Sequence, residues 1–71
     1  MDFRQALEAA KAGKMIQRSG WKGKNMTVQL QRLDEQSKMT LPYLYLLTAD
    51  RQLVPWLPSQ IDILAEDWSV L

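Results

Sequence analysis

The chain has 71 residues, of which 46% are apolar, and it contains no cysteine and no histidine. A chain of this length builds one small core, so we expect a single domain over residues 1–71. The composition excludes a disulfide framework, a zinc site with Cys or His ligands, and a nucleophile that a histidine activates. Because so small a core is marginal on its own, the apolar content favours a homo-oligomer. No apolar run is long enough to cross a membrane, and we expect no membrane partner.

The net charge of +1 is unevenly distributed along the chain. Residues 1–24 contain six basic and two acidic residues, whereas residues 25–71 contain three basic and six acidic ones. A basic half is typical of proteins with an anionic partner. The alternative is that scattered lysines solvate an ordinary surface, and charge alone leaves both interpretations open.

The N-terminal residues predict a helix. Asp2 and Gln5 have the spacing of a capping box, and Gly13 is a natural C-terminal stop. Apolar side chains recur at helical spacing and predict one buried face: Phe3, Ala6, Leu7 and Ala10.

After this helix, apolar residues recur at every second position, as they do in a half-buried strand. Residues 14–18 predict a short strand, and residues 26–30 alternate between apolar and polar side chains as a half-buried strand does. Residues 33–41 are polar and charged, which indicates a mobile connection. The nearly continuous apolar run at residues 43–48 predicts a central strand.

The last third of the chain completes the predicted fold. Residues 49–52 make a turn into a strand at 53–56, where Pro55 indicates either a sheet edge or a strand end. Ser59 begins a short helix that runs to about Ala65, and residues 68–71 form a last strand. The order α-β-β-β-β-α-β predicts an α+β fold, with the N-terminal helix packed on a small antiparallel sheet and a short second helix near the C-terminus.

The first candidate binding cluster spans residues 18–25. Gly20 and Gly23 bracket an aromatic ring, and such loops let backbone N–H groups approach an anion. Trp21 can stack on a base, and the polar groups that accompany it are Lys22, Lys24 and Asn25. The alternative is a hairpin loop with glycines for turn geometry and Trp21 folded over the core.

The second candidate cluster spans residues 54–68. Ser59 and Asp62 have capping-box spacing, and the N–H groups of the same turn suit a phosphate, while Gln60 is not needed by the cap. We interpret Trp56, between two prolines, as a pocket wall and Trp68 as part of the core.

Four further side chains lie in or near these clusters. Tyr43 and Tyr45 share a face of the central strand, in the core, at a subunit interface or at a ligand. We interpret the adjacent Glu66 and Asp67 as a solvated turn.

Six motifs in this order resemble the DUF2829 family, which includes the second type of Thoeris anti-defence protein. The N-terminal half of the chain carries three of these motifs: Asp2, Phe3, Ala6 and Leu7; Lys11, Gly13 and Lys14; and Arg18, Gly20, Trp21, Gly23 and Lys24. The C-terminal half carries the rest: Pro42 and Tyr43; Thr48, Ala49 and Asp50; and Pro55, Trp56, Pro58, Ser59, Gln60, Asp62, Leu64, Ala65, Asp67 and Trp68. The chain departs from the pattern at Lys22, where the family usually has Asn, and at Arg51, where it often has Gly.

The resemblance implies a phage protein that acts as a sponge and not as an enzyme. Such a protein binds a cyclic ADP-ribose-type messenger in the cytoplasm of the infected bacterial host, without degrading it and without a cofactor. Members assemble as homotetramers, as a dimer of dimers, with pockets between subunits, and some relatives also take up cyclic dinucleotides. The ligand-binding residues expected here are Trp21, Lys22, Lys24, Asn25, Tyr43, Trp56, Ser59, Gln60 and Asp62.

Two other classes of function were weighed against the sponge. A nucleic-acid-binding module would use the basic N-terminal half and exposed tryptophans, but we do not expect a nucleic acid as the partner. An enzyme that cleaves the messenger would use Asp62 or Glu66, and the sequence offers no clear acid and base pair for it. No set of metal ligands is apparent.

Overall fold

The chain follows the predicted order of helices and strands along residues 1–21 and 25–71, which are the residues that the computed structural model describes. The elements are α1 (Phe3–Lys11), β1 (Ile16–Arg18), a 3₁₀ turn (Ser19–Trp21), β2 (Thr27–Gln31), β3 (Tyr43–Leu47), β4 (Leu53–Pro55), α2 (Gln60–Leu64) and β5 (Trp68–Val70). This arrangement confirms the α+β class. Neither of the two described helices is long and apolar enough to cross a membrane.

Helix α1 begins and ends where the sequence predicts. The Asp2 carboxylate accepts a hydrogen bond from the Gln5 backbone N at 2.9 Å, and the Gln5 side chain accepts one from the Asp2 backbone N at 3.1 Å. The helix stops before Gly13, whose φ of +95° lies in the left-handed region that favours glycine. Ala6 and Ala10 are fully buried, and their small size lets the helix lie close to the sheet.

The five described strands form one antiparallel sheet in the order β4-β3-β2-β1-β5. Strand β1 lies between β2 and β5, so that Ile16 is opposite both Val28 and Val70. Ile16 and Val28 are fully buried beneath the helix. Strand β4 lies at a sheet edge, as Pro55 predicted, and β3 lies inside the sheet.

The strand boundaries differ by one or two residues from the sequence prediction. Strand β1 begins at Ile16 and not at residue 14, and the Met15 carbonyl accepts a hydrogen bond from the Leu71 backbone N at 3.0 Å outside the paired ladder. Residues 33–41 contain turns but no helix or strand, which confirms a connection there. The mobility of that connection stays a prediction.

The core of the described chain is small. The buried apolar residues are Ala6, Ala10, Ile16, Val28, Trp56 and Trp68. The accessible surface of 5346 Å² exceeds the roughly 4,500 Å² expected of a compact monomer of this mass. Apolar side chains account for part of the excess, and the most exposed are Leu41, Leu53, Leu57, Ile61 and Leu64. The isolated chain therefore leaves apolar surface that an assembly can bury.

The loop between β3 and β4 places a non-glycine residue in the left-handed region. The Thr48 backbone N donates to the Gln52 carbonyl at 2.8 Å, and three residues connect them. The last of the three, Arg51, has a φ of +69°. Three-residue hairpin loops commonly place glycine at this position, because a Cβ is unfavourable there.

We therefore expect Arg51→Gly to stabilise the protein. Relief of the left-handed strain, less the entropy that glycine loses on folding, should raise the free energy of unfolding by about 0.5–1 kcal/mol. Urea denaturation measures the change. Arg51→Ala is the matched control, since it removes the charge and keeps the strained Cβ. An Arg51→Gly protein less stable than Arg51→Ala would contradict the assignment of strain.

Candidate functional site

Three aromatic side chains pack around Trp68. Its ring centroid lies 5.5 Å from that of Phe3, 5.4 Å from Trp21 and 5.8 Å from Trp56. The two tryptophan pairs meet edge to face, which is a favoured geometry for aromatic rings. Trp68 is 2% exposed, and this confirms its prediction as a core residue.

Trp21 and Trp56 both take part in this packing. Trp21 ends the 3₁₀ turn and is half-buried. It packs against the core, as the alternative of a turn with Trp21 folded over the core predicts, and it keeps part of its surface accessible. Trp56 is 8% exposed and also contacts Phe3, at 6.0 Å between ring centroids. Its accessible edge lines a cavity, so Trp56 belongs to the core as well as to a pocket wall.

Helix α2 begins with the predicted capping box. The Ser59 hydroxyl accepts a hydrogen bond from the Asp62 backbone N at 3.2 Å, and the Asp62 carboxylate accepts one from the Ser59 backbone N at 3.3 Å. Gln60, in the first turn, is exposed. The cap therefore uses Ser59 and Asp62 and leaves the Gln60 side chain at the surface.

Arg18 binds two carboxylates at the end of β1. Its Nη1 donates to Asp62 Oδ1 at 2.8 Å, its Nε donates to Asp67 Oδ1 at 2.7 Å, and its Nη2 donates to Asp67 Oδ2 at 3.3 Å. The interpretation of Asp67 as part of a solvated turn was wrong. Its side chain is 30% exposed and is held by a bidentate pair with Arg18, a partner distant in sequence.

These pairs shift the pKa values of the groups involved. The hydrogen bond from Arg18 lowers the pKa of Asp67 to about 2, and the Gly20 N–H adds to the effect. Burial alone would raise the pKa of Asp62, but hydrogen bonds from Arg18, Ser59 and Trp21 together outweigh it and leave that pKa lowered. The two carboxylates in turn raise the pKa of Arg18, chiefly through their hydrogen bonds. All three groups are therefore charged at neutral pH.

A shallow cavity of about 460 Å³ lies beside Tyr43 and Trp56. The described residues that line it are Met39, Thr40, Leu41, Pro42, Tyr43, Leu44, Pro55, Trp56 and Leu57. They include no charged side chain. Tyr43 also borders a second depression of about 190 Å³ with Tyr45, whose hydroxyl donates to the Gln29 side chain. The described surface at Tyr43 therefore offers aromatic and apolar contact but no charged group.

The predicted site residues fall into two groups that the aromatic packing connects. Trp21 contacts Trp68 and lies near Asp62, whereas Trp56, which also contacts Trp68, lines the cavity with Tyr43. Asn25 is exposed and has a φ of +57°. The predictions for Lys22 and Lys24 lie outside the described residues.

Sequence reasoning included Arg18 and Asp67 in the two candidate clusters, but it gave Arg18 no role and missed the bond between the two residues. The available signal was their place in the motifs, one directly before the Ser19–Trp21 turn and the other directly before Trp68. Within residues 1–21 and 25–71, no group of three or more acidic side chains is placed to hold a metal ion.

The sequence of this chain matches a known class of anti-defence domain. A family model described as Tad2-like, a Thoeris anti-defense 2-like domain, matches residues 1–71, and the chain belongs to this family. Family membership supports a phage anti-defence role for the chain.

One curated relative is similar over the full length of this chain. Thoeris anti-defense 2 of Bacillus phage SP01 is 37% identical over 84 residues, an alignment that covers 100% of this chain and 94% of the relative. Because this chain has only 71 residues, the relative carries residues that have no counterpart here.

We expect the Asp67 carboxylate to make stability depend on pH. Its pKa is about 2 in the folded protein and about 3.9 in an unfolded chain, so its contribution is complete above about pH 4 and is lost as the pH falls towards 2. Asp67→Asn should therefore lower stability at pH 7 and flatten its decline between pH 4 and 2. Urea denaturation at a series of pH values measures both effects.

The control for this experiment is Glu35→Gln, which removes an exposed carboxylate from the 33–41 connection. It should keep the wild-type decline. An Asp67→Asn protein with the wild-type decline would contradict the assignment to Asp67.

Proposed function

We propose that this chain is a phage anti-defence protein that binds and sequesters cyclic nucleotide immune signals without degrading them. Its ligands are glycocyclic ADP-ribose-type messengers of Thoeris defence, with cyclic dinucleotides as a second class. The observation that carries the proposal is the family match over residues 1–71, supported by the relative named Thoeris anti-defense 2. The place of action is the cytoplasm of the infected host, where the messenger is made.

The chemistry of the surface side chains supports a nucleotide ligand. Purine faces stack on aromatic rings, and Trp21, Tyr43 and Trp56 each keep an accessible edge. Ribose hydroxyls suit the polar groups of the α2 turn, which are Ser59, Gln60 and Asp62. Phosphates suit the polar side chains that follow Trp21 in the sequence, which are Lys22, Lys24 and Asn25.

The exposed apolar surface supports a homotetramer, arranged as a dimer of dimers, with the pocket completed by a second subunit. The cavity at Trp56 is apolar along its described lining, and a nucleotide needs polar and cationic partners as well. Useful sequestration requires a dissociation constant near 1 nM, or about −12 kcal/mol. Contacts from two subunits are a direct route to that value for so small a chain.

The state of the carboxylates supports binding without turnover. Asp62 and Asp67 both have lowered pKa values because Arg18 holds them, so they remain ionised at neutral pH and are poor proton donors. Neither is therefore suited to act as the general acid that cleavage of a messenger requires.

Recovery of the ligand tests the proposal. The purified protein is incubated with glycocyclic ADP-ribose, free ligand is removed, the protein is heat-denatured, and the released compound is identified by mass spectrometry. We expect intact messenger at about one equivalent per site. A degraded product would indicate an enzyme instead. No retention of the messenger, together with affinity for single-stranded nucleic acid that grows with strand length and falls steeply with salt, would indicate a nucleic-acid-binding module.

Gln60→Ala should weaken messenger binding at least tenfold and leave folding and assembly unchanged, because the Gln60 side chain is exposed and stands outside the cap. Titration calorimetry measures affinity, and light scattering measures the mass of the assembly, which we expect to be that of a tetramer. Gln52→Ala is the matched control, since it removes another exposed glutamine side chain at the β4 end of the sheet. Equal affinity of the two variants would exclude Gln60 from the pocket.

A further inference from the structure

Arg18 joins two segments that lie far apart in the sequence. It bonds to Asp62, 44 positions away in the first turn of α2, and to Asp67, 49 positions away before β5. The guanidinium is planar and presents its donors in a fixed fork, so both carboxylates must keep defined positions around it. Arg18, Asp62 and Asp67 are here called the Arg18 cluster.

The Arg18 cluster also holds the turn that carries Trp21. Asp67 Oδ2 accepts hydrogen bonds from the Gly20 backbone N at 2.7 Å and from the Ser19 hydroxyl at 3.3 Å. The Ser19 backbone N donates to the Asp67 carbonyl at 3.1 Å. The fit is close, because a Cβ built on Gly20 would lie 2.8 Å from both Arg18 Nη2 and Asp67 Oδ2.

Both segments held by the Arg18 cluster carry predicted ligand-binding residues. Trp21 ends the turn that Asp67 fixes, and Gln60 lies in the first turn of the helix whose Asp62 is bound to Arg18. The side chains of Arg18 and Asp62 are 15% and 16% exposed, so they lie beneath the surface that a ligand touches. Partly buried ion pairs contribute little net stability, since desolvation offsets much of the attraction, and the main effect of such a pair is on geometry.

We propose that Arg18 is a positioning residue of the ligand site, which sets the distance between Trp21 and the Ser59–Gln60 turn by binding Asp62 and Asp67 at once. This proposal rests on the proposed function, and it changes the role of Asp62 from ligand contact to positioning. Asp62 acts on the ligand through the position of its turn, because its two oxygens already accept hydrogen bonds from Arg18 and from the Ser59 backbone.

Arg18→Lys and Asp67→Asn test this role. Lysine keeps the positive charge of Arg18 but lacks the planar guanidinium that binds Asp62 and Asp67 at once. Asparagine keeps the shape of Asp67 but lacks the carboxylate that forms the bidentate pair with Arg18. Titration with glycocyclic ADP-ribose should give dissociation constants raised at least tenfold, at a temperature where denaturation curves show each variant fully folded. Arg32→Lys is the matched control, because Arg32 donates to the Lys11 carbonyl at an exposed place outside the predicted ligand-binding residues, and its affinity should stay within twofold of wild type.

Two further measurements separate positioning from simple loss of folding. Gly20→Ala keeps every charged group and displaces Arg18 and Asp67, so it should also weaken binding at least tenfold. In NMR spectra of the free protein, the chemical shift of the Trp21 indole N–H should change more than that of the Trp56 indole N–H in each variant.

Affinity within twofold of wild type in Arg18→Lys and Gly20→Ala overturns the proposal, and so does a loss of affinity that only follows the loss of folded protein. A wild-type protein that retains no messenger overturns the proposed function, and this inference with it.

Discussion

The packing of the Trp68 indole connects most parts of this domain. The ring contacts Phe3 from α1, Trp21 from the turn after β1 and Trp56 from the segment after β4. Its Nε1 donates to the Asp62 carbonyl at 2.9 Å, so the one polar atom of the ring also has a partner. Truncation of a buried tryptophan costs about 3–5 kcal/mol, which is a large part of the stability that a domain of this size has. With few other large side chains buried, the arrangement of both candidate segments depends on this one ring.

Aromatic packing and the Arg18 cluster have different physical effects on neighbouring atoms. The aromatic rings supply free energy, because they remove a large apolar area from water without any polar group left unsatisfied. The ion pairs fix relative positions, because a guanidinium and two carboxylates form good hydrogen bonds in few arrangements. A small protein that must hold two loops at a fixed separation needs both effects. This division explains why charged residues lie directly beside the aromatic core and not only at the rim of the sheet.

The features that the sequence predicts well are the local ones. The caps at Asp2 and Ser59 depend on residues three positions apart, and the placement of Pro55 at an edge follows from its missing N–H. The pairing of Arg18 with Asp67 was missed, because nothing local indicates that β1 lies beside β5. The same limit applies to Trp56. Its flanking prolines describe a stiff backbone, whereas its burial depends on where α1 and β5 lie around it.

The pairing of β1 with β5 also determines when the domain can fold. Strand β1 lies between β2 and β5, and Arg18 and Asp67 are separated by 49 positions. Helix α1 packs on β5 as well as on β1 and β2, so its buried face is only partly covered until the last strand is present. Phe3 and Trp68 lie 65 positions apart and their rings are in contact, so the aromatic core forms only when the first and last elements of the domain meet. Contacts of such long sequence separation slow folding, because the intervening chain must close before they form.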